Sequence, residues 1–193
     1  MRKDVAQFIR SCSICQYCNK SNAKPVGLLQ SLPVTSLFHT LALDFVGGFS
    51  PTFHGNKHIL IAIDLFSKYV VAIPTIDMTS STIAKFLLDQ IGLIFGFPIR
   101  LLSDRGSAFL SGAIQDFLNL AKTKKINTSS YHPQCDGQAE NAVKTVTKLL
   151  TKLALNYPNN WDDLVKFAVY EYNVAFHDSI KTAPFTVVFG TRP

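Results

Sequence analysis

The chain has 193 residues, 47% of them hydrophobic, enough for a sizeable core and too many for a disordered polymer. Nineteen Lys and Arg against thirteen Asp and Glu leave a net charge of +6, which favours anionic partners such as nucleic acid, an ordinary basic globular protein being the alternative. No stretch of about 18 uncharged apolar residues is present, and MRKDVAQFIRSC lacks the apolar run of a signal peptide, so a soluble intracellular protein is expected.

Residues 1–24 are polar, basic and cysteine-bearing, and NKSNAKP reads as the start of a linker. Three β-type runs follow, HTLALDFVGGF, KHILIAIDLF and KYVVAIPT, separated by Gly-, Pro- and Ser-containing turns and spaced as an antiparallel meander. TSSTIAKFLLDQIGLIFG has apolar residues at helical spacing, with Thr79, Ser80 or Ser81 as N-cap and Gly96 and Pro98 as stops. PIRLLSD is then a short strand, residues 109–124 a second helix, INTSS a strand, residues 137–156 a long helix closed by Tyr157 and Pro158, and WDDLVKFAVYEYNVAFHD a last helix. The string predicts an α/β fold: a mixed sheet covered by helices.

Three acidic residues stand out against this pattern. Asp44 lies inside LALDFVGGF among apolar neighbours, where an ionised carboxylate is costly unless a cation or several donors compensate. An Asp at the wet end of the strand, satisfying a turn, is the plainer alternative. Asp104 ends a strand and opens the polar turn DRGSAF, where it can equally be a cap. Glu140 falls in the first turn of the long helix, where the helix dipole also favours it. Two carboxylates at strand ends and one on a helix make an oxygen-ligand set for Mg²⁺ or Mn²⁺.

LALDF, LLSDRGSAF and YHPQCDGQAEN resemble, in that order, the three acidic motifs of the retroviral-type integrase core, most closely that of gypsy-type long-terminal-repeat retrotransposons. Residues 105–139, 35 in all, separate Asp104 from Glu140, as in that family's pattern, and PFTVVFGTRP resembles the segment closing many of these cores. The resemblance implies a ribonuclease H-like mixed five-stranded sheet flanked by helices. It also implies a polynucleotidyl transferase that trims the 3′ ends of element DNA and joins them to target DNA. By motif, Asp44, Asp104 and Glu140 become the ligands of two Mg²⁺ or Mn²⁺ ions. Asp64, in IAIDLFSK, matches no acidic catalytic position and is assigned to strand-end structure.

On the long helix, Ala142, Val143, Val146, Leu149, Leu150 and Leu153 form one apolar face, and Lys144, Lys148 and Lys152 step away from Glu140 by about 40° each. A solvated face with a Glu–Lys pair is the plain reading. Phosphate contact beside the metals is the functional one, and Lys144 resembles a DNA-contacting lysine of the family. Tyr131, Gln134 and Asp136 are expected to line a DNA-facing loop, with His132 positioning it and Cys135 a non-catalytic thiol. Lys122, Lys124 and Lys125 read as a solvated helix end.

Cys12 and Cys15 have the two-residue gap of a zinc knuckle, but tetrahedral zinc needs four ligands and the first histidine is His39. The pair resembles the second half of the integrase His-His-Cys-Cys domain, and Cys18 matches no ligand position. The chain is therefore expected to be a fragment or the product of an internal start, not holding zinc by itself. The expected division is 1–24, remnant of a zinc-binding domain; 25–37, linker; 38–158, catalytic core; and 159–193, its C-terminal helix and tail. Expected partners are DNA and further copies of the chain, in the nucleus or a cytoplasmic virus-like particle. A captured or decayed element fragment that binds without catalysing, and a ribonuclease H-type nuclease, are the rival readings.

Overall fold

A computed structural model describes Val5, Gln7, Phe8, Ser11 and Cys12, residues 34–127 and residues 133–193, with side chains 127 and 133–138 outside the description. The three apolar runs form β1 (Thr40–Val46), β2 (His58–Asp64) and β3 (Val70–Thr75), paired antiparallel in sequence order. β4 (Arg100–Ser103) lies parallel to β1 on its other side, and β5 (Lys124–Asn127) lies parallel to β4. The sheet order β3-β2-β1-β4-β5 is the mixed five-stranded, helix-flanked arrangement implied by the resemblance.

The chain passes from β3 to β4 through α1 (Ser80–Phe86), which runs on through a wide π turn, Leu87–Gly92, into Leu93–Phe95. Thr79 is its N-cap, accepting from the Thr82 amide at 3.3 Å. At Gly92 a Cβ would come within 2.4 Å of the Phe97 ring, so the bare backbone lets that ring fold back over the helix end. Gly96 then turns the chain at φ 88°, a conformation that side-chain-bearing residues rarely adopt.

After β4 come α2 (Ser107–Leu110) and α3 (Gly112–Leu120), and after β5 come α4 (Pro133–Ala154), α5 (Trp161–Val174) and α6 (Pro184–Phe189). Strand residues alternate faces, and the two faces bury different sets. Leu41, Leu43, Leu60 and Leu101 pack with Ile83, Phe86 and Ile91 of the α1 segment and Ile114 and Leu118 of α3. Ala42, Ile61, Ile63 and Leu102 pack with Val146 and Leu150 of α4 and Trp161 and Val165 of α5. Each fully buried side chain of this size contributes roughly 1.5–3 kcal/mol, which fixes α4 against the sheet face where the acidic residues emerge.

Several expected boundaries move. The second helix ends at Leu120, not 124, because Lys122 takes a left-handed φ of 54° that breaks it. Lys124 and Lys125 are thus in β5, opposite Arg100 and Leu101, and are not a solvated helix end. β5 is an edge strand, where lysines guard against pairing with other chains. The long helix begins at Pro133, four residues before the expected start, since a proline suits the first helical position and Gly137 is tolerated inside. Gln134 and Asp136, expected in a loop, are therefore helical in backbone. α5 stops at Val174, and His177 instead bridges to Thr182. Among the described residues, no helix is long and apolar enough to cross a membrane.

Candidate active site

Asp44 and Asp104 are brought together by the parallel pairing of β1 with β4. Thr40 stands opposite Arg100, Leu41 opposite Leu101 and Ala42 opposite Leu102, and the same register carried two residues further sets Asp44 level with Asp104. Both project from the face shared by Ala42 and Leu102, which α4 covers. Asp44 is half-buried in the stretch of β1 where burial falls away, and Asp104 is exposed one residue beyond β4.

Glu140 arrives from α4. With Ala139 it closes a cleft of about 190 Å³ whose other walls include Asp44, Ser103 and Asp104. Burial pushes the Asp44 carboxyl above its ordinary value, a backbone hydrogen bond opposes this, and repulsion from Asp104 and Glu140 adds to the rise. The Asp104 carboxylate is held by its own turn, accepting from the Gly106 amide at 2.9 Å. A side chain at Gly106 would begin with its Cβ 3.0 Å from Asp104 Oδ1, so glycine leaves that oxygen room.

The site is open rather than clenched. Glu140 Oε2 lies 3.4 Å from Lys144 Nζ, with both side chains mostly exposed. Among the described residues, the only His, Cys, Asp or Glu group whose ligand atoms all fall within 4.8 Å of one another is His54, Asp162 and Asp163, on the far loop between β1 and β2 and the start of α5. There Asp162 Oδ2 already accepts from Thr52 Oγ1, His54 Nδ1 and Asn56 Nδ2 at 2.8–2.9 Å, which makes it a structural anchor.

Lys144 and Lys148 are exposed on α4, Lys144 beside Glu140 and Lys148 one turn on. Tyr131, His132 and Cys15 lie outside the described residues, as do the side chains of Gln134, Cys135 and Asp136; Cys12 is half-buried just after helical Ser11, its amide donating to the Phe8 carbonyl at 3.0 Å. Asp64 is fully buried away from the cleft: Oδ1 accepts from the Phe38 amide at 3.1 Å, and Oδ2 from the Ser67 amide and hydroxyl at 2.9 and 2.7 Å. Lys125 was missed by sequence reasoning. Its ammonium donates to the Phe109 carbonyl, and burial lowers its pKa while the nearby Asp104 charge opposes the fall. Only the register of β5, invisible in a run of lysines, puts it beside the acidic cleft.

Comparison with known proteins adds a family likeness. A sequence profile described as "Integrase core domain" matches residues 38–133, taking in Asp44 and Asp104 and stopping short of Glu140. The Tf2-3 and Tf2-4 transposon polyproteins of Schizosaccharomyces pombe are each 29% identical over 195 residues, covering the whole chain, which spans 15% of their length. The HTLV-2 integrase catalytic core domain solved with magnesium in a trimeric form matches with a TM-score of 0.63 and 23% identity, over 78% of this chain and 95% of that one. The simian T-cell lymphotropic virus intasome in complex with PP2A regulatory subunit B56 gamma gives a TM-score of 0.73 and 20% identity, over 100% of this chain and 68% of that one. A ribonuclease H-like sheet, the acidic cleft at its β1–β4 junction and the match of residues 38–133 to the integrase core domain converge on a likeness to integrase cores of the retrotransposon and retroviral type.

Proposed function

We propose that this chain is the catalytic core of a retrotransposon integrase, a DDE-type polynucleotidyl transferase that processes the 3′ ends of element DNA and joins them to target DNA. The observation that carries the reading is the β1–β4 register, which levels Asp44 with Asp104 on the face where α4 presents Glu140. The donor set fits a hard divalent cation: three carboxylates in one cleft, with no thiolate or imidazole among the described residues of its walls. Asp44, Asp104 and Glu140 would hold Mg²⁺ or Mn²⁺, two ions in this reading, whose chemistry is to lower the pKa of the attacking hydroxyl and stabilise the leaving oxygen.

The remaining work falls to the chain's own groups. The Gly106 amide fixes the Asp104 carboxylate, and the packed core beneath α4 fixes the height of Glu140. Lys144, and beyond it Lys148, offer exposed ammonium groups along the helix that leads out of the cleft, suited to phosphates flanking the reacting bond. In this reading the DNA lies across the end of β1 and β4. In this reading residues 1–24 are the end of a zinc-binding domain, and the chain works as a multimer on DNA in the nucleus or a virus-like particle.

The test is joining of a labelled duplex with a recessed 3′-hydroxyl to plasmid DNA. Activity should require Mg²⁺ or Mn²⁺ and fall at least about 100-fold in Glu140→Gln, the scale of losing a group that acts on the transition state. Joining that survives the substitution would defeat the reading.

A further inference from the structure

A second cavity, separate from the acidic cleft, has a volume of about 420 Å³ and lies on the other flank of α4, between that helix, the end of α5 and the turn after β2. Its size falls within the roughly 300–1,000 Å³ of small-ligand sites. Asn141 and Thr145 of α4 contribute to one wall and Tyr172 and Phe176 to another, with Lys68, His177 and the carboxylate-bearing Glu171 among the other lining residues. Asn141 is the residue after Glu140, so this cavity and the acidic cleft share one turn of one helix.

The chemistry of the walls is specific. Phe176 is 67% exposed, an aromatic ring presented to solvent at the chain's exit from α5. Tyr172 and His177 meet edge to face with centroids 6.3 Å apart. Burial and the nearby Lys68 charge lower the pKa of His177, which keeps the ring neutral near pH 7 and able to face another π system. Lys68 brings a cation to the wall while itself only 8% exposed, held in a left-handed turn with its ammonium donating to the Leu65 carbonyl. On the outside, Lys148 follows Thr145 by three residues and so stands next to it on the helix surface.

Aromatic rings, an amide able to pair with a base edge, and cations for a phosphate are the components with which proteins hold single nucleotides out of the stack. A cavity of this size admits one nucleotide and excludes a duplex. Resting on the DNA-handling reading above, we propose that it is a pocket for one unpaired nucleotide, its base against Phe176 and Tyr172 and its phosphate toward Lys68 and Lys148. The nucleotide comes from a single-stranded strand end or from a base turned out of a duplex. In either case its capture ties the position of α4, and so of Glu140, to the presence of unpaired DNA.

The probe is the 5′-phosphorylated dinucleotide d(pApA), titrated against the full chain while the His177 imidazole resonances are followed by NMR. Wild type should bind with His177 shifted, and Phe176→Ala, an exposed position, should weaken binding at least about tenfold, the scale of a lost base–aromatic stack. Ala175→Trp, which fills the cavity mouth, should do the same, with unchanged thermal unfolding as the folding control for both. Duplexes carrying 2-aminopurine in a 5′ extension, or opposite an abasic site, then tell the two sources apart by which fluorescence is quenched. Glu140→Gln should lose joining and keep dinucleotide binding, which separates failure of the catalytic reading from failure of this one. No dinucleotide binding by wild type, binding indifferent to both substitutions, or equal competition by inorganic phosphate would overturn the proposal.

Discussion

Asn173 satisfies both backbone groups of Val70: its Oδ1 accepts from the Val70 amide at 2.8 Å, and its Nδ2 donates to the Val70 carbonyl at 2.8 Å. β3 is an edge of the sheet, and Val70 is where that edge begins. An amide side chain, 2% exposed, thus stands in for the strand that is missing there and pins α5 to the sheet.

Replacing Asn173 with Ala should therefore orphan two buried backbone groups, at about 1–3 kcal/mol each. Urea unfolding of Asn173→Ala should show a loss on the order of 2–6 kcal/mol with the slope unchanged. A loss below about 0.5 kcal/mol, the level of an ordinary surface substitution, would mean that water replaces the amide without cost.

The loop between β1 and β2 is clamped to α5 by Asp162, and the clamp titrates. Burial acts to raise the Asp162 pKa, but hydrogen bonds from Asn56, His54 and Thr52 outweigh it and hold the carboxyl below its ordinary 3.8. A depressed carboxyl contributes stability above its unfolded pKa and loses it as pH falls through the lower folded value. His54 moves the other way: its hydrogen bond to Asp162, then their mutual attraction, raise it above 6.5. That contribution is complete below 6.5 and disappears as pH rises through the folded value. Resistance to thermal unfolding should accordingly be greatest between about pH 4.5 and 6.5. Asp162→Asn should flatten the acid limb, and His54→Gln should remove only the shallow alkaline decline. An alkaline decline that persists in His54→Gln would assign it to another group.

Lys144 is exposed and 3.4 Å from Glu140. As a structural pair the two contribute only about 0.3–0.5 kcal/mol, so Lys144→Gln should leave unfolding nearly unchanged. As a phosphate contact it should matter in another way: binding to a short duplex should weaken several-fold at low salt, and the slope of log K against log salt should become shallower by about one ion. An unaltered slope would make Lys144 a solvated helix residue.

Much of this fold was legible in the sequence because its signals are local. Alternation marked β1, β2 and β3, the helical period and Thr79 marked α1, and the motif spacing picked out Asp44, Asp104 and Glu140 together. What escaped depends on partners distant in sequence. Lys124 and Lys125 look like the tail of a helix until β4 supplies a parallel neighbour. Asp162 looks like a first-turn helix acid until Thr52, His54 and Asn56 fold back onto it from more than 100 residues away. The cavity behind α4 needs three separate segments to exist at all. Pro133 and Gly137 misled in the opposite sense, since both are breakers in isolation and both are accommodated in the first turns of α4.

The central claim is that Asp44, Asp104 and Glu140 act as one unit, and it is tested most directly by their non-additivity. Strand joining should be measured in Mn²⁺ for Asp44→Asn, Asp104→Asn, Glu140→Gln and the triple variant, each checked for intact folding and duplex binding. Groups that serve a single site lose nearly everything together, so each single variant should fall to within about threefold of the triple. A single variant that keeps most of the wild-type rate, or losses that multiply from one substitution to the next, would contradict a shared site at the β1–β4 junction.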